Sequence, residues 1–157
     1  MAYKSKITSC ILLVSIITIT VFILTNSLKD NEASNSSSMN ITDMIISDSD
    51  AANESMNTLI RKMAHIVEFF VLGVATIAFA MHIRKNGEKH LFGYALFYVL
   101  AVAVADEHIQ SFSDRTSTTD DIILDFCGGL IGFFSAWLIA LVYRKIRQQS
   151  HKNNKIA

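Results

Sequence analysis

The chain has 157 residues, 51% of them hydrophobic and only 18% charged, which gives room for one domain but is too apolar for an ordinary soluble one. Fourteen basic residues balance fourteen acidic ones, so no basic surplus points to nucleic acid, and the lysines and arginines form short runs rather than a continuous stripe. Cys10 and Cys127 lie inside apolar blocks without CxxC or Cys/His spacing, which argues against a disulfide framework or a zinc knuckle, and the absence of proline suits helices joined by short polar turns.

The charges fall between apolar blocks, the arrangement a bilayer imposes. The first block, Ile7 to Leu24, follows Lys4 and Lys6 and has the length and basic flank of a membrane helix, so residues 1–25 are assigned to a first span. A signal peptide is the rival reading, but the block outruns a signal core and only a weak cleavage candidate, Thr25-Asn26-Ser27, follows it. Residues 26–58 contain Asn35-Ser36-Ser37-Ser38 and the acids Asp30, Glu32, Asp43, Asp48, Asp50 and Glu54, and read as a solvated acidic loop. Within it, Ile41 to Ile46 has some character of a short interfacial helix, interrupted by Asp43.

Three more apolar blocks follow within residues 59–145: Arg61 to Ile83, Leu91 to Ala105, and Asp121 to Tyr143. The third span is the shortest and reaches the roughly 20 residues a crossing needs only if Asp106, Glu107 and His108 extend it. Residues 146–157 form a basic tail. The composition thus predicts an all-α membrane protein of four transmembrane helices.

Lysine and arginine are retained on the cytoplasmic side of short loops. Lys4 and Lys6, then Arg84, Lys85 and Lys89, then Arg144, Lys145, Arg147, Lys152 and Lys155 all fall on one side of a four-span chain, which predicts both termini in the cytoplasm of a multi-pass cell-membrane protein. Arg61 and Lys62 stand at the opposite end, where long side chains snorkel to the interface or meet a specific partner.

That same outer end collects the ionisable residues: Lys62, His65 and Glu68 on the second span, Asp106, Glu107 and Gln110 ending the third, Arg115 in the following loop, and Asp121 and Asp125 opening the fourth. A charge near the bilayer centre costs about 2.5 to 3.5 kcal/mol on insertion scales, so such residues must be paired or used. Lys62, His65 and Glu68 are three apart and share an arc. Asp121 and Asp125 are four apart, and Gly128 and Gly132 continue their face as a small-xxx-small pattern that admits another helix, so the aspartates are expected to point into the bundle. Asp121 also suits a helix N-terminus capped by Thr118 or Thr119. Asp125, a turn deeper, needs a donor such as Lys62, Arg115 or His65. Asp106 and Glu107 point about 100° apart, and Asp106 is the expected inward carboxylate because Gln110 follows it by four. His65, Glu68, Glu107 and His108 offer nitrogen and oxygen ligands, but no HExxH-like spacing fixes them on one face, so no metal ligand and no cofactor is assigned.

The runs Arg61-Lys62-Met63-Ala64-His65-Ile66-Val67-Glu68-Phe69 with Leu72-Gly73, then Ala105-Asp106-Glu107-His108-Ile109-Gln110-Ser111-Phe112, then Arg115, Asp121, Asp125, Gly128 and Gly132, resemble the VanZ-like family over residues 60–135. Two departures stand out: Ser113-Asp114 precede Arg115 where the family usually has a Pro-Gly or similar turn, and Asp125 stands where asparagine is frequent. The first span and the acidic loop contribute only position, not motif. The resemblance implies a cell-envelope factor that lowers susceptibility to glycopeptide antibiotics, to teicoplanin rather than vancomycin, with a lipid-linked envelope precursor or a lipoglycopeptide as partner beside the lipid bilayer.

An alternative expectation is a membrane-embedded enzyme for a lipid-linked or envelope substrate. Glu68 or Asp106 would act as general base, His65 as its acid/base partner, and Lys62 or Arg115 would hold a phosphate or oxyanion. No serine or cysteine nucleophile stands beside His65 in a recognisable motif. A proton-linked transporter is the third reading, weakened because the charges lie at one end without a relay to the other.

Overall fold

The computed structural model describes residues 2–28, 50–84, 90–112 and 119–153. They form four helices, α1 (Ala2–Ser27), α2 (Asp50–Ile83), α3 (His90–Gln110) and α4 (Thr119–Asn153). Each contains a stretch long and apolar enough to cross a membrane: Lys6–Ser27, Thr58–Ile83, His90–Gln110 and Thr119–Ser150. With the comparison reported below, these make the chain a multi-pass membrane protein of all-α fold.

The helices pack as a bundle whose largest interface joins α2 to α4. Glycines allow this approach. A Cβ on Gly128 would come within 2.8 Å of the Ile66 carbonyl oxygen, and one on Gly73 or Gly132 would overlap the carbonyl of Gly129 or Phe70. The pattern expected of Gly128 and Gly132 therefore meets α2, Gly73 answers it from α2 by approaching the Gly129 carbonyl, and Gly129 itself makes room for Val99 of α3. Lipid tails are as apolar as the side chains, so close backbone packing rather than hydrophobic burial drives such contacts.

The core contains Ile16, Ile23, Phe69, Leu72, Val99, Val102 and Ala103. Other apolar side chains face outward, with Phe97 and Ile139 each 69% exposed, a surface that suits hydrocarbon. Between α1 and α3 the hydroxyls of Thr20 and Tyr98 share a 2.9 Å hydrogen bond, and Arg84 stacks 5.2 Å over the Phe92 ring where α2 hands over to α3.

Two boundaries differ from the sequence expectation. Residues 50–58, expected as loop, are helical, because Ala51, Ala52, Glu54 and Met56 are good helix formers that continue α2 beyond its apolar part. The basic tail is likewise helical as far as Asn153. At 1.5 Å per residue, helices of 34 and 35 residues are about 50 Å long, well beyond the roughly 30 Å hydrocarbon core, so α2 and α4 overhang it. The overhangs lie at opposite ends, N-terminal in α2 and C-terminal in α4. The expected interfacial segment Ile41 to Ile46 lies outside the described residues. α3 does run through Asp106, Glu107 and His108 to Gln110, 21 residues in all.

Candidate functional site

The polar residues gather at the bundle end opposite the chain termini. Lys62, His65 and Glu68 lie three apart on α2, and because three residues turn a helix by about 300°, each falls about 60° behind the one before. The trio therefore fans across three neighbours. Lys62 reaches α4, its Nζ 2.8 Å from Asp121 Oδ1, at a rim where their side chains are 45% and 25% exposed. His65 faces α3, its Nδ1 3.6 Å from Asp106 Oδ2. Glu68 turns toward α1 and accepts a 2.7 Å hydrogen bond from Asn26 Nδ2, while its other oxygen lies 3.9 Å from His65 Nδ1.

Asp106 is the most enclosed of the group, with no exposed surface. Gln110 Nε2, one turn on, donates to its Oδ2 at 2.7 Å, and Ser27 Oγ, the last residue of α1, donates to its Oδ1. A carboxylate this deep is tolerable because neutral donors and an imidazole surround it.

Glu107 corrects an expectation: it too is buried, at 3% exposure. The inward residues of α3 are Val99, Val102, Ala103, Asp106, Glu107 and Gln110, a single stripe at helical spacing. Such a stripe is more than 100° wide, so it holds two adjacent carboxylates about 100° apart, Asp106 within it and Glu107 at one edge. Asp125 is 2% exposed, on the face of α4 that carries Gly128 and Gly132. Lys62, one of its expected donors, is instead held by Asp121. Arg115 lies outside the described residues.

The first span, expected to supply position alone, supplies Asn26 and Ser27 to the cluster. Their only sequence signal was a polar pair ending an apolar block, the same residues that suggested a weak cleavage site. His108, considered among nitrogen ligands, is exposed and packs edge-on against Phe112 with ring centroids 5.0 Å apart.

Two openings adjoin the cluster. A small cavity of about 30 Å³ is lined by Arg61, Lys62, His65, Gln110, Asp121, Leu124 and Asp125, and it has room for a water or an ion. An apolar groove of about 380 Å³ is lined by Thr18, Ile19, Phe22, Val67, Val71 and Glu68. Chemically, the arrangement places an imidazole among carboxylates at distances too long for direct hydrogen bonds, so a bridging proton carrier, hydroxyl or cation fits between them.

Residues 9–141, spanning all four helices, match the family model described as VanZ/LLP1. No curated protein and no solved structure matches the chain.

Proposed function

The chain belongs to the VanZ/LLP1 family, and from that premise we propose that it is an envelope factor of the cell membrane that engages the headgroup of a lipid-linked envelope component and lowers susceptibility to teicoplanin. Glu68 carries this reading, because the same side chain lines the apolar groove between α1 and α2 and belongs to the buried polar cluster. A lipid tail lying along Thr18, Phe22 and Val71 would bring its headgroup to Glu68, behind which stand His65 and the enclosed Asp106. Arg61 and Lys62 at the rim supply positive charge for an anionic headgroup. Both termini are cytoplasmic in this proposal, which sets the cluster at the outer leaflet where envelope precursors and lipoglycopeptides meet.

Susceptibility of a sensitive Gram-positive host tests it. Expression of the chain should raise tolerance of teicoplanin but not of vancomycin, and Glu68→Gln and Asp106→Asn should each abolish the effect at equal membrane levels. No protection from the unmutated chain, or full protection from both variants, would remove the reading.

The position of His65 favours a second reading, catalysis. Its Nδ1 stands 3.6 Å from Asp106 and 3.9 Å from Glu68, so a substrate hydroxyl or water between them could lose its proton to a carboxylate or to the imidazole. Release of a product from a lipid-linked substrate by purified protein, lost in Glu68→Gln, distinguishes an enzyme from a factor that only binds.

A further inference from the structure

We propose that His65, Asp106 and Asp125 form a binding site for one divalent cation, Zn²⁺ or Mn²⁺, at the head of the bundle. One nitrogen or oxygen atom from each residue lies within 4.8 Å of the other two. The three come from α2, α3 and α4, so an ion here would tie three helices together.

Three observations carry the proposal. The first is spacing. His65 Nδ1 and Asp106 Oδ2 are 3.6 Å apart, too far for a hydrogen bond. Around an ion about 2.1 Å from each donor, neighbouring ligands of a tetrahedral shell stand roughly 3.4 Å apart, close to that distance.

The second is Asp125. It is 2% exposed and lines the small cavity, yet among the described residues no hydrogen bond or ion pair reaches it. Its electrostatic neighbours are more carboxylates, those of Asp106, Glu107, Asp121 and Glu68. The nearest lysine, Lys62, is held by Asp121 at the rim. A buried carboxylate facing carboxylates is relieved either by a proton or by a cation among them, and the imidazole of His65 beside it supplies a second ligand for the cation.

The third is the support behind the ligands. Gln110 and Ser27 hydrogen-bond Asp106, and Asn26 holds Glu68 with its second oxygen 3.9 Å from His65. Outer partners of this kind fix ligand orientation in metal sites. One imidazole among carboxylates suits Zn²⁺ or Mn²⁺ better than Mg²⁺, which prefers oxygen alone and retains its waters. Glu68 stands behind His65 as an outer partner, and the cavity of about 30 Å³ lined by His65 and Asp125 leaves room for a bound water.

The test uses the full chain, free of any tag, purified in detergent, stripped with chelator and titrated with Zn²⁺, Mn²⁺ or Mg²⁺. Bound metal is counted by mass spectrometry of the desalted protein, and affinity is taken from calorimetry. One Zn²⁺ or Mn²⁺ per chain is expected, with Mg²⁺ at least tenfold weaker. Asp125→Asn and His65→Gln should each weaken binding at least tenfold, and the ion should raise the melting temperature of the unmutated protein but not of Asp125→Asn. Asp120→Asn, which removes an exposed carboxylate of α4 that belongs neither to the ligand set nor to the cavity lining, should keep the ion. Absence of a stoichiometric ion, or binding unchanged in both Asp125→Asn and His65→Gln, overturns the site. The cluster is the one on which the proposed function rests, but this readout uses neither antibiotic nor lipid, so failure of one proposal is separable from failure of the other.

Discussion

Ser27 closes α1 with no exposed surface and donates to a carboxylate 79 residues away in the chain. Removing one partner of a buried hydrogen bond leaves the other to bear its desolvation, about 1 to 3 kcal/mol and more for a charged group. Ser27→Ala should therefore lower stability toward denaturant in detergent by about that amount, through Asp106. Asp106→Asn made in the same background should shrink the effect, because the charge that needed the donor is gone. An unfolding curve of Ser27→Ala that overlays the unmutated one would show that the serine does not support the cluster. In the sequence this residue was marked only as half of a polar pair, and a serine ending an apolar block is equally a helix end, a loop start or a cleavage site. Its significance lies in a contact made across the bundle. By contrast His65, Glu68, Asp106 and Asp125 were legible, because an ionisable residue inside an apolar block is costly and must have a partner or a use. What the spacing left open was which partner each takes. The three-residue step of Lys62, His65 and Glu68 spreads them over α4, α3 and α1, and a count along one helix does not name its neighbours.

The seam between α2 and α4 is set by small residues at Gly73, Gly128, Gly129 and Gly132, and it holds the two helices that present His65 and Asp125. Gly73→Ala and Gly132→Ala each place a methyl group against a carbonyl of the facing helix, and overpacking of this kind costs about 1 to 3 kcal/mol. Gly93 on α3 meets nothing within 4 Å, so Gly93→Ala should be neutral or stabilising, as alanine favours a helix by about 0.5 to 1 kcal/mol over glycine. Thermal unfolding of the three variants in one detergent checks the order, and a Gly93→Ala loss equal to the others would contradict the seam. The small-xxx-small pattern was readable because it recurs with helical period on one sequence segment. The true start of α2 was not. Residues 50–58 carry acids and no apolar run, so a window sensitive to membrane spans stops near Arg61 while the backbone continues as helix into water. The double burial of Asp106 and Glu107 escaped for a related reason. Treating two adjacent side chains as alternatives assumes a narrow contact face, whereas α3 has neighbours on several sides and buries a broad one.

At the scale of the molecule, the bundle is polarised: a carboxylate-rich cluster at one end, and the basic overhang of α4 at the other. The four blocks and their alternation were legible because a bilayer demands uninterrupted apolar length, and the side expected of each loop rests on where lysine and arginine collect. That rule predicts the N-terminus and the α4 overhang in the cytoplasm and the site outside, an expectation that can be checked chemically. In a chain carrying Cys10→Ala and Cys127→Ala, Ser36→Cys should react with a membrane-impermeant thiol reagent on intact cells. Gln149→Cys should react only once the cells are opened. Removing the two native cysteines matters because both have exposed surface and would otherwise add background. The reverse pattern would put the cluster on the cytoplasmic face, out of reach of lipoglycopeptides, and the envelope reading would fall. The cation site would not fall with it, since its ligands are fixed by the packing of α2, α3 and α4, whichever side of the membrane they face.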